Sequence, residues 1–579
     1  MKRLFLLLTL VVTSIFGAGA KEIPHTVALD IARSVMGDAT RGADVVVAWD
    51  SDVLGTTRTG EAPTFYVVTP ASGVGFVIVA GDDRVAPILA YSTSYSIADV
   101  DMLPPNFEAW LRYVDRVVRH AREHNIVADD ATARLWSERY TPVDATLLNT
   151  ARWSQYLPYN KYCPEDEGAL SLTGCTQTAM AIIMHYNRWP ERATGTTEPF
   201  TTLTTGLTVP ARDLNHTYDW DNMLYEYVEG EYSEAEGDAV AVLMADLGHS
   251  FQADYSAIGT AALPNGKAMY ENYGYSPSCY FAIHDYYSAE NWNALLRSEI
   301  DANRPVFYSA FTADAAGHAF VIDGYDDNNY FHVNWGWGGV SDGFFKIEGL
   351  ILEEYIFDTM HWAFLGIHPV RDGEIDNWIY LSTPGITTKE TDFQSGKAFM
   401  IDGISIANPA VVNFAGEVRV GVCDIDGEFK SWASDAVAFS LDSGYATSVI
   451  NITAKVEEDI VSGDRLHAFY RAEGSNKWHS MMPYADNTQW EIVLKHPSIG
   501  ETTSLKFDKT TGIMTITHDE NVAAALYMLG SVVDSGVETT SRTMIIDTNK
   551  LNRKDMYQIY LERKDGSESK SYTFTLTDL

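Results

Sequence analysis

The sequence predicts an α+β chain of several domains: a small α+β unit, a larger α+β unit, and one or two β-sandwich modules at the C-terminal end. Three observations carry this expectation. The 579 residues are enough for about three to five domains. Up to about residue 370, helical and alternating apolar patterns are interleaved. Beyond it, short alternating segments are separated by turn signals such as Asp426-Gly427 and Asp565-Gly566.

The first twenty residues stand apart from these units. Met1-Lys2-Arg3 is basic, Leu4 to Phe16 is apolar but too short to span a bilayer, and Ala18-Gly19-Ala20 is a small-residue cleavage site. This pattern predicts a signal peptide over 1–20 and a protein secreted or exported to the cell surface, and no later apolar run suits a transmembrane helix. The formal net charge is −38, which argues against nucleic acid or an anionic membrane as the main partner. Four cysteines, Cys163, Cys175, Cys279 and Cys423, do not make a disulfide framework in an exported chain of this length, and none has zinc spacing.

Residues 21–145 form the first expected unit. His25 to Met36 reads as an amphipathic helix, Phe65 to Val68 and Gly75 to Gly81 as strands, and Ala86 to Tyr91 as another. Phe107, Trp110, Leu111, Val114, Val117 and Val118 fall on one face of a helix. Asp82-Asp83-Arg84 reads as a turn rather than a site. Tyr140 to Thr150 bears a proline and no clear period, and is an exposed joint suited to proteolysis.

Residues 146–370 form the second unit. An apolar helix starts at Cys175, just after Gly174. Val240 to Leu247 and Trp292 to Ile300 read as helices, and Val306 to Phe311 begins a series of strands. Gly317 to Gly324 and Tyr330 to Trp335 both alternate, with the turn cluster Asp326-Asp327-Asn328-Asn329 between them. A hairpin there is expected to bring His318 and Asn334 to roughly the same height. Residues 371–495 and 496–579 are the expected β modules; their acidic turns leave calcium open.

The second unit holds the parts of a thiol-based acyl-transfer site. A cysteine in the first turn of a helix gains from the helix dipole, which favours a thiolate. Cys175 would be the nucleophile, His318 the general acid/base, and Asn334 the group that orients the imidazole. Gln155 would join the Cys175 backbone N–H in an oxyanion hole. Trp335 and Trp337 would shield the His–Asn hydrogen bond from water. Alone, each has an ordinary reading as a core or surface residue. His185 competes as the base but would sit about 15 Å along the helix from Cys175. Asp323 and Asp246 compete as orienters.

Three stretches carry a family likeness. Gly174-Cys175, Gly317-His318-Ala319-Phe320-Val321-Ile322-Asp323-Gly324, and the block from His332-Val333-Asn334-Trp335-Gly336-Trp337 to Phe345 resemble the streptopain family of secreted, papain-like bacterial cysteine proteases. Gly75 to Arg84 followed by Ile88 to Ser92 resembles that family's propeptide. The resemblance implies a papain-like fold for 146–370, an inhibitory propeptide over 21–145, and a secreted zymogen hydrolysing proteins or peptides without a metal or other cofactor. By position it implies a Cys175–His318 dyad supported by Asn334, Trp335 and Gln155. The likeness fades after Pro369-Val370, so the β modules are additions that it does not explain. Two other readings stay open: a transglutaminase-like acyl transferase, and a surface adhesin or binding protein with an inert protease-like unit.

Overall fold

The computed structural model describes residues 21–36, 44–56, 60–71, 73–138, 143–311, 317–347, 361–370, 379–391, 393–447, 450–461, 463–494, 499–518, 522–528, 531–540, 542–564 and 568–577. The expected signal peptide and part of the joint at 139–142 lie outside them. The chain divides into two compact units, residues 1–378 with 409–413, and residues 379–408 with 414–579.

The first unit opens with α1 (His25–Met36), β1 (Val45–Asp50), β2 (Phe65–Pro70), β3 (Phe76–Ala80), β4 (Ile88–Ser92), α2 (Pro105–Glu123) and α3 (Asp130–Ser137). β1 to β4 are a run of antiparallel neighbours. Proline at the first helical position suits the start of α2, because its missing N–H would have no intrahelical acceptor there. The apolar face anticipated for α2 is all buried, from Phe107 to Val118. A buried side chain of this kind contributes about 1.5–3 kcal/mol. Asp82 proves structural: its buried carboxylate takes Arg84 at 2.8 Å and Arg122 at 2.8 Å.

The chain continues with β5 (Ala145–Leu147), α4 (Cys175–Asn187), α5 (Glu234–Ser250), β6 (Tyr280–Ile283), α6 (Ala289–Asp301), β7 (Val306–Phe311), β8 (Gly317–Asp326), β9 (Phe331–Asn334), β10 (Gly343–Phe345) and β11 (His361–Leu365). Ser233 and Glu236 cap α5 reciprocally. α4 is buried nearly all round. Met180, Ile182, Ile183 and Met184 join Val321, Phe307 and Phe364 in one core.

One sheet runs through the whole unit, in the order β1-β2-β3-β4-β10-β9-β8-β7-β11-β6, with β5 against β8. The seam is β4 against β10, where Phe344 pairs with Tyr91 and Phe345 with Ala90. Tyr91 and Phe344 stack at 5.2 Å, and the Tyr91 hydroxyl donates to Asp326 at 2.7 Å. The two halves of this unit therefore share backbone hydrogen bonds as well as side-chain packing.

β5 pairs with Gly324, Tyr325 and Asp326 of β8. Residues 145–147 thus belong by their hydrogen bonds with the strands that follow them, although the pattern change in the sequence puts the boundary at 145. The hairpin register also departs from expectation. Asn334 lies opposite Val321 rather than His318, about 10 Å farther along β8 at ~3.3 Å per residue. The cause is the turn. Asp326 Oδ1 accepts from the N–H groups of Asn328 and Tyr330, which centres the reversal beyond Asp326. A bulge between Ile322 and Gly324 takes back one residue of the offset, since the register before it would set Asn334 opposite Ile322.

The second unit is β-rich, as expected. Ile379 to Leu494 surround one apolar core and Ile499 to Phe574 another. The second core lies between two four-stranded antiparallel sheets, a β-sandwich arrangement.

Candidate active site

Gly174 has φ +90°, and a Cβ there would come within 2.7 Å of Thr260 O and of Gln177 Oε1. Only glycine is unstrained in that turn. It delivers Cys175 as the first residue of α4, partly buried against the core. Gln155 is buried beside the same turn, where its carbonyl accepts from Thr173 N–H at 3.3 Å.

β9 leaves β8 at the Val321–Asn334 pair, so Ala319 loses its ladder partner on that side. Its freed backbone groups are met by side chains. Ala319 N–H donates to Cys175 Sγ at 3.3 Å. On the other side of the gap, Asn106 Nδ2 of α2 donates to Trp335 O at 2.6 Å and reaches Ala319 O at 3.5 Å. A side chain of the N-terminal unit is thereby inserted between the strand that carries His318 and the residue that follows Asn334.

Side chains alternate along β8. Ala319 and Val321 face the α4 core. His318 and Phe320 face a cavity of about 40 Å³ that is also lined by Asn106, Trp110 and Tyr113 of α2. Trp335 is 1 % exposed and closes that cavity. It packs on Phe320 at 4.9 Å, Phe345 at 5.0 Å and Phe107 of α2 at 5.8 Å, and its indole N–H donates to Ser341 O at 3.0 Å. Trp337 sits apart, against Tyr156 at 5.8 Å.

Burial pushes the Cys175 thiol pKa up from its ordinary value; the N–H groups of Ala319, Thr176 and Cys175 offset this only in part. The thiolate expected from the helix dipole is therefore not favoured in this closed form, because desolvation outweighs the dipoles. All four cysteines are free. Burial pushes Cys163 and Cys279 up to about 12 and Cys423 up to about 11.

Asn334 is buried. Its Nδ2 donates to Ala151 O at 2.9 Å and Thr150 Oγ1 at 3.1 Å, and its Oδ1 accepts from Gly336 N–H at 3.1 Å. Thr150 in turn donates to Asp323, whose other oxygen is bonded to His332 Nδ1 at 2.5 Å. Burial disfavours a charged His332, but the Asp323 carboxylate prevails and holds its pKa above the ordinary value. Burial also raises Asp342 to about 7, although Trp335 N–H and His332 pull it down. Arg152 lies 4.6 Å above the ring of Tyr95 from the N-terminal unit, which in turn lies 5.7 Å from His332.

The competitors fall into structural places. His185 bonds to Met223 O at 3.2 Å between Trp153 and Trp220. Asp246 is buried with Arg212, Tyr218 and His216. Asp323 stands behind Asn334. Asn106, Thr150, His332 and Asp342 were not singled out from the sequence. The only trace of Asn106 is its place after Pro104-Pro105 at a helix start, and Thr150 carries no local signal. Among the described residues no cluster of His, Cys, Asp or Glu is arranged to hold a metal ion.

The profile of the Peptidase C10 family matches residues 153–345, and that of the Spi protease inhibitor matches residues 20–118. Streptopain of Streptococcus pyogenes is 35% identical over 306 residues, which cover 49% of this chain and 74% of that protein. The thiol protease/hemagglutinin PrtT of Porphyromonas gingivalis is 30% identical over 300 residues, covering 50% of this chain and 34% of that one. A solved fragment of Prevotella intermedia prointerpain A is 29% identical with a TM-score of 0.45, covering 53% of this chain and 96% of that chain. The matches reach both halves of the first unit. The chain belongs to the streptopain family, the C10 peptidases, and is a papain-like cysteine endopeptidase that carries its own Spi-type inhibitor as an N-terminal propeptide.

Proposed function

We propose that Cys175 is the nucleophile of a secreted endopeptidase and that the structure is that of its closed precursor. The observation that carries the reading is the hydrogen bond from Ala319 N–H to Cys175 Sγ, which sets the sulfur beside the residue next to His318. The catalytic imidazole belongs to His318. While α2 is in place it lines the cavity on the other face of β8. Once α2 leaves, rotation of the side chain brings the imidazole to the sulfur, and the ion pair offsets the burial that now raises the thiol pKa. Cys175 Sγ then attacks the scissile carbonyl, and the Cys175 N–H and Gln155 carboxamide hold the oxyanion. His318 protonates the leaving amine and afterwards draws the proton from the water that releases the acyl group. Asn334 orients the imidazole and Trp335 keeps water from that bond.

The domain reading follows. Residues 1–20 direct export, and the propeptide runs from 21 to the joint after Ser137. The papain-like unit keeps residues 145–370, because β5 is bonded into β8. Two β modules follow, divided at about 495. Among the described residues no helix is long and apolar enough to cross a membrane.

Cys175→Ala in the full chain tests the assignment. Peptide hydrolysis is expected to fall by about 10⁴-fold or more, and the isolated precursor to stay uncut. A Cys175→Ala chain that still hydrolyses peptides and trims itself overturns it.

A further inference from the structure

A carboxamide has two ends of nearly the same shape, and only its partners decide which end points where. For Asn334 the choice matters. To orient the imidazole it must offer Oδ1 to a ring N–H and keep its NH₂ turned into the fold. The surroundings enforce this. The NH₂ end meets two acceptors, Ala151 O and Thr150 Oγ1. Ala151 O can only accept. Thr150 Oγ1 has one proton, and that proton goes to the Asp323 carboxylate, so towards Asn334 the hydroxyl can only accept as well. Asp323 is held from its other side by His332. Thr150, Asp323, His332 and Asn334 are each no more than 3 % exposed, so no water is at hand to exchange these roles. Oδ1, with Gly336 N–H on one lone pair, keeps the other free for an imidazole.

We propose that Asp323 and Thr150 are positioning residues for the hydrolysis, acting through Asn334: the carboxylate orients the threonine hydroxyl, and the hydroxyl sets which end of the Asn334 amide faces the histidine. This rests on the assignment of Asn334 as the residue that orients His318. Asp323, weighed from the sequence as an orienter in its own right, reaches the histidine only at third hand. The network also gives the arm that begins at β5 a chemical duty. Leu148 N–H donates to Asp323 O at 2.7 Å, so the backbone that carries Thr150 is tied to β8. Processing before residue 145 keeps Thr150 in the enzyme; a cut after it removes the hydroxyl.

The test uses the full chain after maturation, with active sites counted by an epoxide thiol inhibitor. Thr150→Val keeps the shape and deletes the hydroxyl. Its kcat on a peptide substrate is expected to fall about 5- to 30-fold with KM within about twofold, and Thr150→Ser to recover most of the loss. In an Asn334→Ala background the same Thr150→Val change should alter kcat by less than about twofold, since the amide it orients is gone. Full kcat in Thr150→Val, or an equal fall in both backgrounds, overturns the proposal. If Asn334→Ala itself keeps full kcat, the reading of Asn334 fails, and this inference with it. Asp323→Asn is the second variant should Thr150→Val not mature: its amide donates to Thr150 and turns the hydroxyl proton towards Asn334. An unchanged kcat there is equally fatal.

Discussion

On one face of β8, Ala319 and Val321 pack against α4, and Cys175 sits among groups that belong to the catalytic half of the unit. On the other face, His318 and Phe320 share a small cavity with Asn106, Trp110 and Tyr113 of α2. The contacts described for Cys175 come from the catalytic half, whereas the cavity that His318 lines is built jointly with α2. Latency is therefore seated at one half of the proposed dyad. On the proposed reading the inhibitor acts on the side of the histidine. It holds the histidine's face of the strand and occupies, with one asparagine, the place where the β8–β9 ladder opens.

The largest effect expected on the side of Cys175 is loss of the proposed oxyanion donor. Gln155→Ala should lower kcat by about 10²–10³-fold in the matured enzyme. It should leave binding of the N-terminal unit unchanged, because Gln155 lies beside the α4 turn. Steady-state kinetics on active-site-titrated enzyme checks the first expectation, and inhibition by added N-terminal unit the second. A variant that is slow and also poorly inhibited would break the division between the two faces.

On the histidine's side, Asn106→Ala removes the amide and leaves the carbonyls of Trp335 and Ala319 buried without it. An orphaned buried acceptor costs about 1–3 kcal/mol, so the closed form should weaken by about 5- to 150-fold. The precursor is expected to process itself correspondingly faster, with unchanged kcat after maturation. Precursor half-life on gels measures it, and a half-life equal to that of the wild type would show that the asparagine is a bystander.

The two faces should also differ in thiol chemistry. In the precursor, burial holds the Cys175 pKa above its ordinary value, so alkylation by iodoacetamide should be slow at pH 7 and climb with pH up to and beyond 9. After maturation an imidazolium partner stabilises the thiolate, and alkylation should already be fast near pH 6, a change of about tenfold or more in rate at that pH. The other three cysteines are buried with thiols pushed up to about 11 or 12, so a single labelled site is expected in both forms. A precursor that alkylates at pH 6 as fast as the mature enzyme would place the histidine at the sulfur from the start.

Much of this was legible in the sequence where one local signal sufficed. The α1 and β7 boundaries and the buried face of α2 follow from apolar periodicity, and Cys175 from a glycine-led helix start. His318 and Asn334 were legible as residues, but their relative height was not. It depends on how the Asp326 carboxylate gathers the turn, and a turn cluster can be centred in more than one way. The seam between β4 and β10 was not legible, because pairing Phe344 with Tyr91 joins segments over two hundred residues apart. Thr150 was hidden for a similar reason. It sits in an aperiodic joint, and its meaning comes only from Asp323 and Asn334, both distant in the chain.

The smallest effect tests whether the buried charges behind the site are kept at the expense of stability. Asp342 accepts from Trp335 N–H at 2.9 Å, and burial raises its pKa from the ordinary carboxylate value to about 7. A carboxyl whose pKa is higher folded than unfolded contributes stability below the unfolded value, and that contribution is lost as pH rises through the folded one. The folded unit is thus strained at pH 8, where the unfolded chain ionises freely, and is not strained at pH 4. Asp342→Asn keeps an oxygen for Trp335 N–H and removes the charge. In the inactive Cys175→Ala chain it should raise stability by about 1–3 kcal/mol at pH 8, a few degrees in melting temperature, and by nothing measurable at pH 4. Equal shifts at both pH values would mean that the gain comes from packing, and lower stability at pH 8 would mean that Asp342 is held as a carboxylate by His332. In that last case His332 and Asp342 share one charge network, and departure of Tyr95 with the N-terminal unit would change the ionisation of both.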